Sequence, residues 1–459
     1  MAKEEKELMG VDALVRDYER MPVPEERQKN WYNMGMVWGG VAACIICLLV
    51  GGTIGFWLDL KTAAIAVLCG SLITTAIGAI CAVVGGRLHL STPMIARFAF
   101  GNRGVIVVAL AIAVGCFGWF AFQLGFFGVT FQAATGLMTG VAPGMLGLWL
   151  AIIIGGILMT VSAVFGYRAL AWLSLVTVPI ILALWIYSLV VVLGQYSWSE
   201  LLAQAPADPK TLAVAISFVA GGFMVGAVIT PDVSRYAKST GHSVGGVILG
   251  FFVIQAVLMY MGAILAHAVG DWNMVNVMLG LGLGTAFGII AMLVFILAQW
   301  TTNDNNLYSA ALSFSVIFRG ARKWWLTAAA GALGIILALP EPVNVWGHFP
   351  EFISSLCILI PPIAGVYIAD YFIVNRNFYK YENLPKVANA RWLMLASWAV
   401  ASFIGFCTTP AGASIGTLGW FNITTIPAID TFLIGFVLAL ILGCVYKRVK
   451  GGWPEATPA

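Results

Sequence analysis

Charge is what this chain lacks most. Asp, Glu, Lys and Arg make up 10% of its 459 residues, where an ordinary globular domain carries about 25%. Apolar residues fill 61% and the mean hydropathy is +0.94, which excludes a soluble globular fold. Alternation at strand period is missing too, which excludes a transmembrane barrel. The four histidines, His89, His242, His267 and His348, are scattered near the ends of apolar segments and form no metal-binding set. Eight cysteines lie in or beside apolar segments, and Cys44 and Cys47 form a CxxC pair. No second pair or nearby histidine completes a zinc or redox motif, so that pair reads as structural. No His/Asp or Cys/His grouping faces one cavity, so neither an enzyme nor an organic cofactor is expected. No apolar core follows a short basic start, so no cleaved signal peptide is expected. The connections are short, which leaves no room for a soluble domain. The net charge of +4 reflects membrane topology, and no nucleic-acid partner is expected.

What is present comes in blocks of about twenty apolar residues, the length a helix needs to cross a bilayer. Twelve blocks are readable: residues 34–56, 62–84, 104–134, 146–164, 169–192, 212–233, 244–269, 279–300 (continuing to 318), 325–339, 352–374, 392–407 and 429–445. Twelve crossings put both termini on one side. That side then holds 22 of the 24 Lys and Arg residues, leaving only Lys61 and Lys210 opposite. Basic residues favour the cytoplasmic face, so both termini are expected there, in a multi-pass protein of the cell membrane. The connection 85–103 (GGRLHLSTPMIARFAFGNR) reads as an interfacial helix and 339–350 (LPEPVNVWGHFP) as an extracytoplasmic loop.

Three spans carry residues that a purely lipid-facing helix does not need. The sixth holds Gly221, Gly222 and Gly226, with Phe223 after the pair. Glycine costs about 1 kcal/mol in a helix interior, so the pair is an expected place for the helix to loosen. The first span holds a similar pair, Gly39-Gly40. Under an inverted repeat spans one and six correspond, and interruptions at corresponding positions point to a transporter site. The alternative is that these glycines only admit a close neighbour helix. In the third span Trp119 and Gln123 stand four residues apart, on one helix face. An indole beside an amide can stack on a flat ring and hydrogen-bond its edge; equally, Gln123 can bond a neighbouring helix. The eighth span holds AQWTTNDNNLYS, the densest polar run in any span. Thr301 and Thr302 offer hydroxyl oxygens one turn after Ala298, a neutral set suited to a monovalent hard cation such as sodium. Main-chain oxygens freed by a break in span one would complete its shell. Asp304 is expected at the cytoplasmic mouth, capping local backbone, or otherwise inside the membrane at a functional position. Asp232 and Arg235 read as an ion pair or a helix-end feature.

These stretches resemble nucleobase–cation symporter family 1, cytosine permease type. The resemblance covers nearly the whole length and rests on STPMIARFAFGNRG, GWF in span three, GGF…TPDVSRY in span six, WTTNDNNLYSAAL in span eight and PPIAGVYIADYF in span ten. It implies an all-helical fold of the leucine-transporter type, a five-plus-five inverted repeat with two extra C-terminal helices. The chain then divides into a cytoplasmic tail (1–30), a first repeat (31–210), a second repeat (211–375), two further spans (376–446) and a second tail (447–459). The resemblance implies substrate held between Trp119 and Phe223, with Gln123 matching a glutamine of the hydantoin branch. Cys116 and Gly222 stand where the cytosine branch carries glutamine and serine. With Gly226 and Asn303 these residues make the expected substrate set. The implied sodium set is Gly40, Ala43, Ala298, Thr301 and Thr302. The function expected is a monomeric, sodium-coupled symporter that imports a planar nucleobase such as cytosine by alternating access. The alternative is a hydantoin, allantoin or hydroxymethylpyrimidine importer, or proton coupling.

Overall fold

A computed structural model describes residues 18–339, 349–408 and 423–451. The loop expected over 339–350 falls almost wholly outside the described residues, as do the first 17 residues of the expected tail. Every named element among the described residues is helical. Two short helices, α1 (Trp31–Ala42) and α2 (Ile45–Trp57), make one bent unit with a 59° turn between them. There follow α3 (Leu60–Leu88), the short α4 (Thr92–Phe100), α5 (Val105–Thr139), α6 (Met145–Val164) and α7 (Tyr167–Gln195). Then come α8 (Leu212–Val228), α9 (Thr240–Val269), α10 (Gly284–Ile317), α11 (Lys323–Ala338), α12 (Phe352–Val374), α13 (Trp392–Cys407) and α14 (Pro427–Lys450).

Among the described residues nine helices are long and apolar enough to cross a membrane, or ten when the bent pair α1–α2 is counted as one span. The 16-residue α11 and α13 occupy the ninth and eleventh expected blocks. At 1.5 Å per residue each reaches about 24 Å, short of a hydrocarbon core of about 30 Å. Large apolar side chains remain exposed along the long helices, including Leu72, Val114, Ile154 and Ile186. On a helix of membrane length such a surface faces acyl chains.

The helix starts follow local chemistry. Asn30 accepts from the Asn33 N–H at 3.0 Å, and Asp59 accepts from the N–H groups of Lys61 and Thr62 at 3.1 Å. Both satisfy donors that a helix start leaves orphaned. The glycine pairs do not break their helices. α8 runs unbroken through Gly221, Gly222 and Gly226 and ends only at Ile229, just before Pro231. At Gly221 a Cβ would lie 2.6 Å from Ile353 and from Cys357, so this glycine admits α12. The first span turns at Ala43–Cys44, one turn after Gly39-Gly40, whose own surfaces meet Ile254 and Ser174. Closest of all is the seam between α2 and α9. A Cβ on Gly51 or Gly55 would collide with the main-chain oxygens of Met259 and Ala263, and one on Gly262 with that of Leu48.

The 85–103 connection does form a helix, α4, packed inside the protein: all its residues are buried except Arg97, which is half-buried. One buried ion pair ties the later helices together. Arg391 meets Asp370 with two hydrogen bonds of 2.6 and 2.7 Å, and Tyr379 and Asn375 also donate to that carboxylate.

Candidate functional site

The bend between α1 and α2 sets up the first cluster. In an unbroken helix the Gly40 oxygen would accept from Cys44 N–H. Cys44 is extended here (φ −74°, ψ 161°), and the Gly40 oxygen meets α10 instead. The Thr301 hydroxyl donates to it at 3.1 Å and the Thr302 hydroxyl stands 3.3 Å away. The same hydroxyls lie 2.9 and 3.1 Å from the Ala298 oxygen, and Thr302 is 3.5 Å from the Val41 oxygen. Two hydroxyl protons thus serve three carbonyl oxygens. Such an oxygen-rich, donor-poor group of neutral ligands fits a monovalent hard cation. Ala43, fully buried, stands at the bend itself. Among the described residues no three His, Cys, Asp or Glu converge in a way that would hold a metal.

Beside the bend lies a cavity of about 440 Å³, its open mouth included. Trp38, Trp119 and Phe223 contribute rings to its wall, and Gln123, Asn305 and Asn306 contribute amides. Trp119 and Gln123 come from one face of α5, as their spacing predicts. Gly222 and Gly226 leave the α8 wall low: a Cβ at Gly222 would meet only Val50, at 3.5 Å or more. The rings are braced from behind. Phe251 lies edge-on to both Trp38 (5.0 Å) and Phe223 (5.9 Å). It sits in a wide π-turn of α9, Ile248–Ile254, a distortion often found at functional sites. Trp119 stands edge-on to Phe352 at 5.2 Å.

The amides carry the site's polarity. Gln123 is 1% exposed and Asn305 is 3% exposed. Gln123 Oε1 and Asn305 Oδ1 have no hydrogen-bond partner among the described residues. A buried acceptor without a partner costs roughly 1–3 kcal/mol, so two beside one cavity call for a ligand with N–H donors. Thr302 belongs to both features, lining the cavity and touching the Gly40 oxygen.

Five of the seven expected substrate residues therefore meet at one cavity: Trp119, Gln123, Gly222, Phe223 and Gly226. Cys116 and Asn303 are not among its lining residues. Cys116 is packed within α5, and Asn303 turns toward α5 and α6, donating to the Phe120 oxygen at 3.3 Å and the Met159 sulfur at 3.4 Å. Trp38, Asn305 and Asn306 line the cavity without having been singled out in the sequence, and Cys44, read there as structural, lines it too. Asn305 was legible, because it follows Thr302 by three residues on the same helix face. Asp304 is not at a helix mouth. It lies inside α10, fully buried, and accepts from the Ser162 hydroxyl at 2.7 Å. Asp232 is a helix-end feature: its carboxylate accepts the Thr92 N–H at the start of α4, at 2.8 Å, while Arg235 reaches its main-chain oxygen.

Known proteins resemble this chain over most of its length. Residues 21–406 fit the family described as "Permease for cytosine/purines, uracil, thiamine, allantoin". The chain is 30% identical over 390 residues to cytosine permease of Escherichia coli (strain K12), covering 85% of this chain and 88% of that one. It is 23% identical over 408 residues to hydantoin permease of Microbacterium maritypicum, covering 83% and 82%. Among solved structures it is similar to Mhp1, a nucleobase-cation-symport-1 family transporter, in a closed conformation with bromovinylhydantoin bound. That likeness has a TM-score of 0.79 at 21% identity and covers 95% of this chain and 96% of that one. A Na+-coupled sialic acid symporter in an outward-open state is similar with a TM-score of 0.67 at 12% identity, covering 98% and 94%. These two likenesses show the fold, which is the inverted-repeat transporter fold expected from the sequence. The chain is thus a multi-pass transporter of the cell membrane and not an enzyme. It belongs to the permease family for cytosine/purines, uracil, thiamine and allantoin.

Proposed function

We propose that this permease is a sodium-coupled symporter that imports a planar nucleobase-like ring, cytosine or a related pyrimidine or purine. The observation that carries the reading is the pair of unpartnered amide oxygens, Gln123 Oε1 and Asn305 Oδ1, beside a cavity walled by Trp38, Trp119 and Phe223. The rings stack on the faces of the substrate and the amides accept from N–H groups on its edge. Sodium is carried with the ring. Gly40, Ala43 and Ala298 supply main-chain oxygens and Thr301 and Thr302 hydroxyls.

Because Thr302 lines the cavity as well, an ion that draws the α1–α2 bend onto α10 also fixes one wall against the ring. A ligand shifts a conformational equilibrium only by its differential affinity for the two states. Sodium therefore binds the outward-open state better, and release of both cargoes follows when the bundle rocks inward. Both termini lie in the cytoplasm, the chain crosses twelve times, and the repeats occupy 31–210 and 211–375. The segregation of Lys and Arg supports this orientation. The transporter works as a monomer.

A second reading, a hydantoin or allantoin importer, is favoured by one observation: Gln123 lines the cavity and Cys116 does not. One experiment decides between them. Purified protein is heated with cytosine, uracil, adenine, hypoxanthine, hydantoin or allantoin, with and without sodium, since a ligand that binds the folded state raises apparent stability. A sodium-dependent shift with cytosine supports the first reading, and a shift with hydantoin or allantoin alone the second. No shift with any ring overturns both.

A further inference from the structure

The arginines around α4 play no part in the cavity. After Phe100, Gly101 turns the chain with φ 99°, pressed against the main chain of 388–390 where a Cβ would collide. Asn102 follows, 8% exposed, and its side-chain N–H groups donate to the oxygens of Leu384 (3.2 Å) and Val387 (2.7 Å). Its two oxygens each receive a different guanidinium. Arg97 donates to Asn102 Oδ1 through Nε (3.2 Å) and Nη2 (2.7 Å). Arg319, just past the end of α10, donates Nη2 to the main-chain oxygen of Asn102.

One asparagine thus holds two cations side by side. Its oxygens are neutral, so they satisfy hydrogen bonds without offsetting charge. Neither guanidinium pairs with a carboxylate among the described residues. Burial, together with the charge of Arg319, pushes Arg97 down to about 10, and only the phenol of Tyr381 acts in the other direction. Arg97 also reaches the Met94 sulfur at 3.5 Å and Arg319 the Val316 oxygen at 3.4 Å, while Arg20 nearby gives its guanidinium to three carbonyl oxygens, those of Ser315, Phe318 and Ala321. Arg319 and Tyr381 are exposed, so the cluster opens outward. Phe318, the residue before Arg319, is 54% exposed, and Trp392, which follows the Arg391 whose N–H donates to the Phe100 oxygen, is 74% exposed. Aromatic residues of this kind gather at the level of lipid headgroups.

We propose that Arg97 and Arg319, gathered by Asn102 and bordered by Tyr381, form a binding site for a phosphate oxyanion, either on a lipid headgroup or free in solution. Guanidinium forks match phosphate oxygens in pairs, and an anion here would relieve the repulsion between the two cations.

The test uses delipidated full-length protein in detergent. Thermal stability and lipid adducts in native mass spectrometry are measured with phosphatidylglycerol, with phosphatidylcholine and with inorganic phosphate. The expected result is stabilisation and retained adducts with phosphatidylglycerol but not with phosphatidylcholine. Arg319→Gln, at an exposed position, weakens this about fivefold, and Arg319→Gln with Arg97→Gln weakens it further. Arg448→Gln, on the last turn of α14, leaves it unchanged. If inorganic phosphate alone reproduces the effect and Arg319→Gln removes it, the anion is free phosphate rather than lipid. Equal binding of the two lipids with no effect of phosphate overturns the proposal. So does an Arg319→Gln protein that binds the anion as the wild type does.

Discussion

The Thr301 hydroxyl donates to the main-chain oxygen of Gly40 at 3.1 Å, joining α10 to the last turn of α1 across 261 residues of chain. Thr301→Val keeps the shape of the side chain and removes its oxygen. The expected result is a rise of about tenfold or more in the sodium concentration that gives half-maximal stabilisation by the preferred ring. Ring binding without sodium should change little. An unchanged sodium requirement would show that the ion sits elsewhere.

Gln123→Leu removes one of the two unpartnered acceptors while keeping the side chain's bulk. The ring's Kd should rise about ten- to a hundredfold, the cost of leaving an N–H of the substrate unmatched. Isothermal titration reads this directly. Trp119→Ala should abolish binding, because it removes a whole stacking face.

Gly222→Ser places a hydroxyl at the low wall of the cavity with only ordinary contact to Val50. Folding should be unaffected. The order of ring preference should move toward cytosine, because the resemblance places the serine of the cytosine branch at this position. A competition assay against the same panel of rings, showing an unchanged order, would remove Gly222 from the substrate set.

Asp370 and Arg391 are 0% and 3% exposed in their side chains and bonded in two places. Arg391→Met leaves a buried carboxylate without its cation and should lower stability by about 3–5 kcal/mol. Asp370→Leu combined with Arg391→Met should recover most of that loss. Unfolding in detergent, followed by tryptophan fluorescence, compares the three proteins.

The spans were legible because bilayer thickness imposes a length on them, and Trp119 and Gln123 because four residues return to the same helix face. The meeting of Thr301 and Thr302 with the Gly40 oxygen was legible because hydroxyls in an apolar helix seek main-chain oxygens, and a bend in a neighbouring span frees one. The glycine pairs left two readings open for a physical reason. In a membrane helix glycine serves close approach as readily as flexibility, and only the position of Ile353 and Cys357 shows which role Gly221 has. Helix phase explains Asn303 and Asn305: two residues apart they face different neighbours, and only Asn305 shares the face of Thr302. Asp304 depends on Ser162, 142 residues away, a partner no local pattern announces.

At the seam of Gly51, Gly55 and Gly262, α2 and α9 touch through main chain, with no side chains between them to slide or repack. The two helices therefore form one mechanical part. α2 carries Ile46, at the cavity wall, and Val50 behind Gly222, while α9 carries Phe251 behind Phe223 and Trp38. Any motion that swings α2 away from α10 drags the backing of the aromatic wall with it. Displacing the α1–α2 bend from Thr301 and Thr302 and shifting Phe251 behind the cavity rings thus become a single movement, with the α2–α9 seam as its lever arm.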